Sequence, residues 1–200
     1  MADIASEAGV SAGNLYQYVE SKEALFHACL VAASPEGHEP LGDRPLATPH
    51  PTETRRLVDA GLRAIRKPGA LAAALKTDDP VDVAAELAGI ISEFYDRTAA
   101  TRHLQALIEA AAADRPDLFE AYFVKMRRPA LAALTDYLRR RIDSGHLRPV
   151  PDVATTARLI NETQAWFARH RPFDQDTDDV HDDNTARATV IDVLVAGLLP

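Results

Sequence analysis

A group of polar side chains near the N-terminus has the spacing needed to meet the base edges and phosphates of DNA. Asn14, Gln17 and Tyr18 lie at helical spacing behind Ser11, whose hydroxyl can cap the start of a helix. Lys22 stands at the start of a further helix, where its charge adds to the unpaired N–H groups and suits a phosphate oxygen. The chemistry indicated is non-covalent recognition of nucleic acid.

Two short helices joined by a tight turn would position these side chains. Gly9 supplies the left-handed conformation that ends the first helix, and Ser11 begins the second. This spacing predicts a helix-turn-helix, in which the second helix enters the major groove. The residues predicted to face its core are Ile4, Ala5, Ala8, Val10, Leu15 and Val19.

Residues 4–25 resemble the DNA-binding domain of the tetracycline-repressor (TetR) family of bacterial transcriptional regulators. The matching motifs are Ile4-Ala5, Ala8-Gly9-Val10-Ser11, Gly13-x-Leu15-Tyr16 and Ser21-Lys22-Glu23-x-Leu25. The resemblance implies a DNA face that consists of Ser11, Asn14, Tyr16, Gln17, Tyr18 and Lys22. It also implies a homodimeric repressor that binds a palindromic double-stranded DNA operator and responds to an unknown small-molecule effector.

The N-terminal head, residues 1–34, departs from the family pattern in two respects. The first helix of the family, which packs behind the helix-turn-helix, would precede Met1. Residues 1–34 carry four acidic residues and one lysine, a net charge of −3, although phosphate contacts normally supply much of DNA affinity. Two alternatives follow: the true start lies upstream of Met1, or the protein is a regulator that no longer binds DNA.

Composition limits the class of protein. The net charge is −8 and 46% of the residues are hydrophobic, which suits a globular protein with a core. The single cysteine, Cys29, excludes an internal disulfide and is expected to be a small core residue. Because we find neither a signal peptide nor an apolar run of about 18–20 residues, we expect a soluble cytoplasmic protein with no membrane partner.

The rest of the chain reads as successive helices, so the predicted fold class is all-α. A partial helix-turn-helix domain with a connector helix spans residues 1–34, a proline-rich loop follows, and a helical ligand-binding and dimerisation domain spans residues 52–200. An Arg-x-x-x-Gly-x-Leu-x-Pro segment at 141–149 also resembles the family. The predicted helices of the second domain run from Thr52 to about Pro68, over 81–113, from Asp117 to Ser144 with a kink at Pro129, over 153–170 and over 184–198.

Aromatic residues on three of these helices could converge on an effector pocket. Helical bundles bind ligands between their helices, in mostly apolar pockets with a few polar groups. Plain core packing is the alternative for each aromatic residue. The predicted pocket residues are Phe94, Tyr95, Tyr122, Phe123, Met126, Asn161, Gln164, Trp166 and Phe167.

The last two helices are expected to form a homodimer interface, because the final helix is apolar over more than one stripe. The alternative is that these residues serve only the core of their own chain. The predicted interface consists of Ile160, Phe167, Val190, Val193, Leu194, Gly197 and Leu198.

The function expected is therefore a ligand-responsive repressor. A dimeric helical protein that binds a small molecule, or a scaffold, without DNA binding is the alternative. No nucleophile motif, phosphate-binding loop or metal-ligand spacing occurs in the sequence, so we expect no enzyme activity, no metal and no cofactor.

Overall fold

The computed structural model describes residues 1–34, 42–66, 69–174 and 182–200, and over these ranges the fold is all-α. The predicted fold class is confirmed: a helix-turn-helix stands at the N-terminus and a multi-helix bundle follows. The chain divides into two compact units, Met1–Ala64 and Ile65–Pro200. The predicted domain limits of 1–34 and 52–200 stay a prediction.

The first unit contains four helices: α1 (Ala2–Glu7), α2 (Ala12–Tyr16), α3 (Lys22–Ala33) and α4 (Pro51–Ile65), the last of which ends at the boundary of the unit. Gly9 has a φ of +68°, the left-handed turn that the sequence predicts. The hydroxyls of Ser11 and Ser21 cap α2 and α3 by accepting bonds from the backbone N–H groups of Asn14 and Ala24, both at 3.1 Å. Local cap and turn chemistry therefore fixes where these short helices begin.

The apolar face of the helix-turn-helix is only partly covered. Ala5 and Val19 are buried as predicted. Ile4 and Val10 are each 37% exposed and Ala8 is exposed, so their predicted place in the core is wrong. Cys29, also predicted to be buried, is exposed on α3. Among the described helices, α2 packs most extensively against α1, and these side chains remain uncovered.

The segment 42–50 is hydrogen-bonded to residues 18–20, which come shortly after α2 in the chain. Leu46 N donates to the carbonyl oxygen of Tyr18 at 2.8 Å, and Glu20 N donates to the carbonyl oxygen of Leu46 at 3.0 Å. Thr48 N donates to Glu20 Oε2 at 3.0 Å. This segment had been interpreted as a loop or mobile linker; residues 42–50 instead make specific hydrogen bonds, whereas residues 35–41 of the same predicted loop lie outside the described residues.

The second unit is a helical bundle. Its α-helices are α5 (Ala70–Ala74), α6 (Val83–Ala100), α7 (Arg102–Ala112), α8 (Pro116–Phe119), α9 (Arg128–Asp143), α10 (Val153–Ala165) and α11 (Asp183–Ala196). Two π-helical segments, π1 (Glu120–Arg127) and π2 (Trp166–His170), join α8 to α9 and extend α10; a 3-10 turn, Arg171–Phe173, follows π2.

Two predicted helices are interrupted. The helix predicted over 81–113 breaks at Thr101 into α6 and α7. The predicted kink at Pro129 takes the form of π1, which ends two residues before that proline. Because proline has no N–H to donate to the preceding turn, a widened turn before it leaves fewer unpaired carbonyl groups than a regular helix would.

The core of the second unit lies between α5, α6, α9, α10 and α11 and includes Leu87, Ile90, Ile91 and Leu134. Arg141 is buried in this unit with 1% exposure. It links α9 to α6 and to the C-terminal end of α5.

The predicted interface residues divide between core and surface. Ile160, Val190 and Leu198 are buried in the core of their own chain, so their predicted contact with a second copy is corrected. Phe167 and Leu194 pack partly against the same core. Val193 is 61% exposed and Gly197 is exposed. The sequence predicts that the final helix is apolar over more than one stripe, and the folded structure shows which stripe faces the core: Val190 is buried and Val193 is exposed.

Candidate functional site

The predicted DNA-facing side chains lie on the surface of the first unit, with one exception. Tyr16, Gln17, Tyr18 and Lys22 are exposed, whereas Asn14 is half-buried. Ser11 is exposed but its hydroxyl is used in capping α2. A hydroxyl that caps the recognition helix can position that helix whether or not it also contacts a phosphate.

Arg44 lies beside this surface and was not identified from the sequence. Its guanidinium carbon is 4.7 Å from the centre of the Tyr18 ring. This places a cation next to the recognition helix in a head whose first 34 residues are acidic. One signal was present in the sequence, because Arg44 is a basic residue in the proline-rich stretch that is predicted to be a loop.

A cavity of about 350 Å³ lies within the second unit. Its size is at the lower end of the roughly 300–1,000 Å³ typical of ligand pockets. One part of its wall is apolar and borders the hydrophobic core. That part is formed by Leu71, Ala72, Leu75, Phe94, Ala130 and Ala133.

The remaining wall carries a hydrogen-bonded polar cluster, Gln105–Glu109–Tyr122–Arg169. The Tyr122 hydroxyl donates to Gln105 Oε1 at 3.0 Å and accepts from Arg169 Nη1 at 3.1 Å. Arg169 Nη1 also lies 2.8 Å from Glu109 Oε1. Burial, together with the neighbouring Glu109 carboxylate, raises the pKa of Tyr122 to about 12, so the phenol is neutral at physiological pH.

The charge on Arg169 is retained despite its burial. Burial by itself disfavours the guanidinium cation, but Tyr122 and the Glu109 carboxylate more than compensate and raise the pKa of Arg169 above its ordinary value. The Gln105–Glu109–Tyr122–Arg169 cluster therefore presents one internally neutralised ion pair to the cavity.

The other acidic side chains on the wall are also paired with arginines. Glu93 pairs with Arg97, and Glu162 pairs with Arg127. Glu93 Oε2 also accepts a hydrogen bond from Ala70 N at 2.5 Å, at the start of α5. A Cβ atom added at Gly69 would overlap the Glu93 carboxylate, so a side chain at this position would displace that carboxylate from the start of α5.

Both π-helical segments contribute to the cavity wall. Tyr122, Met126 and Arg127 come from π1, and Arg169 comes from π2. In a regular α-helix, residues 164 and 169 would be separated by about 140° around the axis. The wider π turn bonds residue i to i+5, which brings Arg169 towards the face that holds Gln164.

The structure divides the predicted pocket residues. Phe94, Tyr122, Met126, Asn161 and Gln164 line the cavity. The other four, Tyr95, Phe123, Trp166 and Phe167, lie outside it, which corrects the prediction.

All four of these aromatics have identifiable neighbours outside the cavity wall. Tyr95 is buried beside the backbone of Phe167, with its hydroxyl 3.5 Å from the carbonyl oxygen. The rings of Trp166 and Phe167 meet edge to face at 5.0 Å, and the Trp166 side chain is exposed. Phe123 packs between Phe119 and Tyr122. Phe123, Trp166 and Phe167 lie in the π segments, whose wider turns change the face that these side chains present; Tyr95 lies on the regular helix α6 and faces the core.

Sequence analysis missed three members of the polar cluster: Gln105, Glu109 and Arg169. Gln105 and Glu109 are one helical turn apart on α7 and directly follow Leu104 and Ile108, which are buried. Polar residues that follow the buried residues of a helix at the same helical spacing indicate polar side chains at the edge of the core, so this pair could have been identified from the sequence. Arg169 had no comparable signal, because its inward position depends on the π turn.

Within the described residues, no group of three or more histidine, cysteine or acidic side chains could hold a metal ion. Among the helices described, none has the length and hydropathy needed to cross a membrane.

Comparison with known proteins identifies the N-terminal segment. Residues 1–29, which include α1, α2 and most of α3, match the family described as bacterial regulatory proteins, tetR family. No curated protein matches the chain. The matched segment carries the helix-turn-helix geometry described above, with capped α2 and α3 and a left-handed Gly9. The N-terminal segment of this chain is therefore similar, in sequence and in local geometry, to bacterial regulatory proteins of the tetR family.

Proposed function

We propose that this chain is a ligand-responsive transcriptional repressor that acts in the cytoplasm as a homodimer on a palindromic DNA operator. It acts by binding and performs no catalysis. The observation that carries the proposal is that one chain combines a tetR-type helix-turn-helix with a separate helical unit that encloses a cavity of about 350 Å³. In this proposal, the first unit recognises DNA and the second unit recognises a small molecule.

The exposed side chains of α2 and α3 support the DNA-binding part. Gln17 offers an amide that can read the edge of a base pair, and Lys22 offers a charge at the start of α3 for a phosphate. Arg44 beside Tyr18 adds a second cation near the same surface. In this proposal, the two helix-turn-helix units of a dimer occupy successive major grooves.

Exposed apolar residues on the last helices support the homodimer. Leu159 on α10 is 59% exposed and Val193 on α11 is 61% exposed. Trp166 and Gly197 are also exposed. These residues replace Ile160, Val190 and Leu198 in the interface that we propose, because the latter already serve the core of their own chain. Small residues such as Gly197 permit close approach of two helices.

Regulation follows if the effector binds the DNA-competent and released forms of the dimer with different affinities. Only such a difference can shift the population between the two forms. The effector would occupy the cavity and bias the separation of the two DNA-binding heads. This coupling is reciprocal, so DNA must weaken effector binding by the same factor as the effector weakens DNA binding.

Titration of DNA binding by fluorescence anisotropy tests the proposal. The targets are the intergenic duplex beside the gene for this chain and a random duplex of equal length, each over a range of salt concentrations. Lys22→Ala should weaken binding to both duplexes and lower the salt slope by about one unit. Gln17→Ala should instead reduce the preference for the intergenic duplex, with a cost of about 1–3 kcal/mol at its target base.

Lys76→Ala is the matched control, because Lys76 is an exposed lysine of the second unit. It should leave both affinities unchanged. Equal effects of the Gln17 and Lys22 substitutions on the two duplexes would contradict the assignment of the recognition helix. Absence of any preference for the intergenic duplex by the unaltered chain would contradict the repressor function.

The second candidate function is a dimeric helical protein that binds a small molecule without binding DNA. It is favoured by the net charge of −3 over residues 1–34 and by the exposed apolar side chains of Ile4 and Val10. The same titration separates the candidates, because this protein would bind neither duplex while it retains effector binding in the cavity.

A further inference from the structure

We propose that the effector is a small apolar molecule that carries one uncharged hydrogen-bonding group, such as a hydroxyl or an amide, and that Asn161 and Gln164 bind this group. The inference rests on the proposed function, since it names the chemical class that the same cavity would select. Its evidence is the distribution of satisfied and unsatisfied polar groups on the cavity wall.

Two side-chain amides of the wall, those of Asn161 and Gln164, have unused hydrogen-bonding capacity. Gln164 is only 3% exposed, and its Nε2 donates to the carbonyl oxygen of Asn161 at 3.0 Å. Its Oε1 is buried without a hydrogen-bond partner. The side-chain amide of Asn161, one helical turn earlier, makes no hydrogen bond among the described residues. Together these amides offer acceptors and a donor on one face of α10.

A buried acceptor without a donor costs about 1–3 kcal/mol relative to its hydrated state. A ligand that supplies a donor to Gln164 Oε1 recovers that energy, whereas a purely apolar ligand does not. Because Oε1 is packed within the wall, a small rotation of the Gln164 amide accompanies binding. A second unsatisfied group, Arg169 Nε, lies on the same wall and can accommodate an acceptor atom of the ligand.

The charged side chains of the wall favour an uncharged ligand. Glu93, Glu109 and Glu162 are each paired with an arginine, through Arg97, Arg169 and Arg127 respectively. Among the described residues of the inner wall, an ammonium or carboxylate group would find no free counter-charge, and it would lose its hydration. Arg66 also borders the cavity, but it is exposed, so water and salt screen its charge.

The apolar part of the wall indicates the chemistry of the remainder of the ligand. Leu71, Leu75, Phe94 and Ala133 border the core and provide a surface for a compact hydrocarbon body. A volume of about 350 Å³ suits a molecule of two fused rings with one polar substituent.

Four probes of one shape test the inference: naphthalene, 2-naphthol, 2-naphthoate and 2-naphthylmethylammonium. Their binding to the full chain is measured at pH 7 by probe fluorescence and calorimetry. We expect 2-naphthol to bind at least about tenfold more tightly than naphthalene, as two modest net hydrogen bonds provide. The two charged probes should bind more weakly than 2-naphthol by at least the same factor.

Substitutions at the two amides locate the preference. Gln164→Leu and Asn161→Leu should each lower the affinity ratio of 2-naphthol to naphthalene by about threefold to tenfold, with little change in naphthalene binding. Asn184→Leu, the same type of change at an exposed position of α11, should leave the ratio unchanged. Circular dichroism of each variant verifies the helical fold, and two independent substitutions keep the test valid if one does not fold.

Every outcome decides the inference. Tightest binding by either charged probe, equal binding of naphthol and naphthalene, an unchanged ratio in both folded variants, or no binding of any probe would overturn the ligand class. The DNA titration is independent of these results, so failure of the ligand class is distinguishable from failure of the repressor function.

Discussion

Replacement of Arg141 should destabilise the second unit more than any other single change to a charged residue named here. Arg141 Nε and Nη2 donate to the Glu86 carboxylate at 2.8 and 3.2 Å. Nη2 also lies 2.9 and 2.7 Å from the carbonyl oxygens of Ala74 and Thr77, and Nη1 donates to that of Asp78 at 3.2 Å. The guanidinium therefore joins α9 to α6 and to the chain that follows α5.

The magnitude follows from burial and from the number of groups left unpaired. In Arg141→Met, an apolar side chain of similar length fills much of the space but donates no hydrogen bond. Removal of one partner of a buried ion pair costs about 3–5 kcal/mol, which is a large part of the roughly 5–15 kcal/mol that stabilises a typical protein. Because the arginine is 1% exposed, solvent screening does little to reduce this cost.

Urea unfolding monitored by circular dichroism measures the effect, and Arg139→Met is the matched control. Arg139 is exposed two residues earlier on α9, so its replacement should change the free energy of unfolding by less than about 0.5 kcal/mol. Arg141→Lys should cost less than Arg141→Met but should not restore stability, since lysine lacks the planar fork. A loss below about 1 kcal/mol for Arg141→Met would refute the reasoning.

Two further predictions concern assembly and alkaline stability. Light scattering should detect a dimer for the unaltered chain and a monomer for the Leu159→Glu, Val193→Glu double variant, while Lys76→Ala stays dimeric; a dimeric double variant would exclude the proposed interface. Because the pKa of Tyr122 is about 12 in the folded protein and 10 in the unfolded chain, the protonated phenol favours the folded state. This contribution to stability is present below pH 10 and is lost as the pH rises towards about 12. The stability advantage of the unaltered chain over Tyr122→Phe should thus shrink by about 2 kcal/mol between these pH values, as urea midpoints measure, and a constant difference would contradict the buried, neutral phenol.

Features that depend on a few neighbouring residues were predictable from the sequence. The turn at Gly9, the caps at Ser11 and Ser21 and the helix end at Gly145 all have the expected local geometry. Gly145 has a φ of +76°, which a residue with a side chain rarely adopts. Asp152 likewise caps α10 by accepting a bond from Thr155 N at 2.7 Å. Each of these features acts within three or four residues, so the local sequence contains the necessary information.

Features that depend on tertiary packing were not predictable in the same way. The Arg139–Arg141 run looks uniform in the sequence, but Arg141 is buried while Arg139 is exposed. The partners of Arg141 are 55 to 67 residues away along the chain, so no local pattern reveals them. The division of Val190 and Val193 between core and surface also needs the packed orientation of α11.

The two π turns explain why the predicted pocket was partly right. Asn161 and Gln164 precede π2, so regular helical spacing places them correctly on the cavity wall. Beyond that point the wider turn changes the angle between successive side chains, which carries Phe167 out of the cavity wall and Arg169 into it. Hydrophobic periodicity assumes a constant angle per residue and fails where that angle changes. Of the polar groups on the wall, Tyr122 and Arg169 lie in the π segments, so the helical irregularity determines their positions, whereas Asn161 and Gln164 follow regular helical spacing.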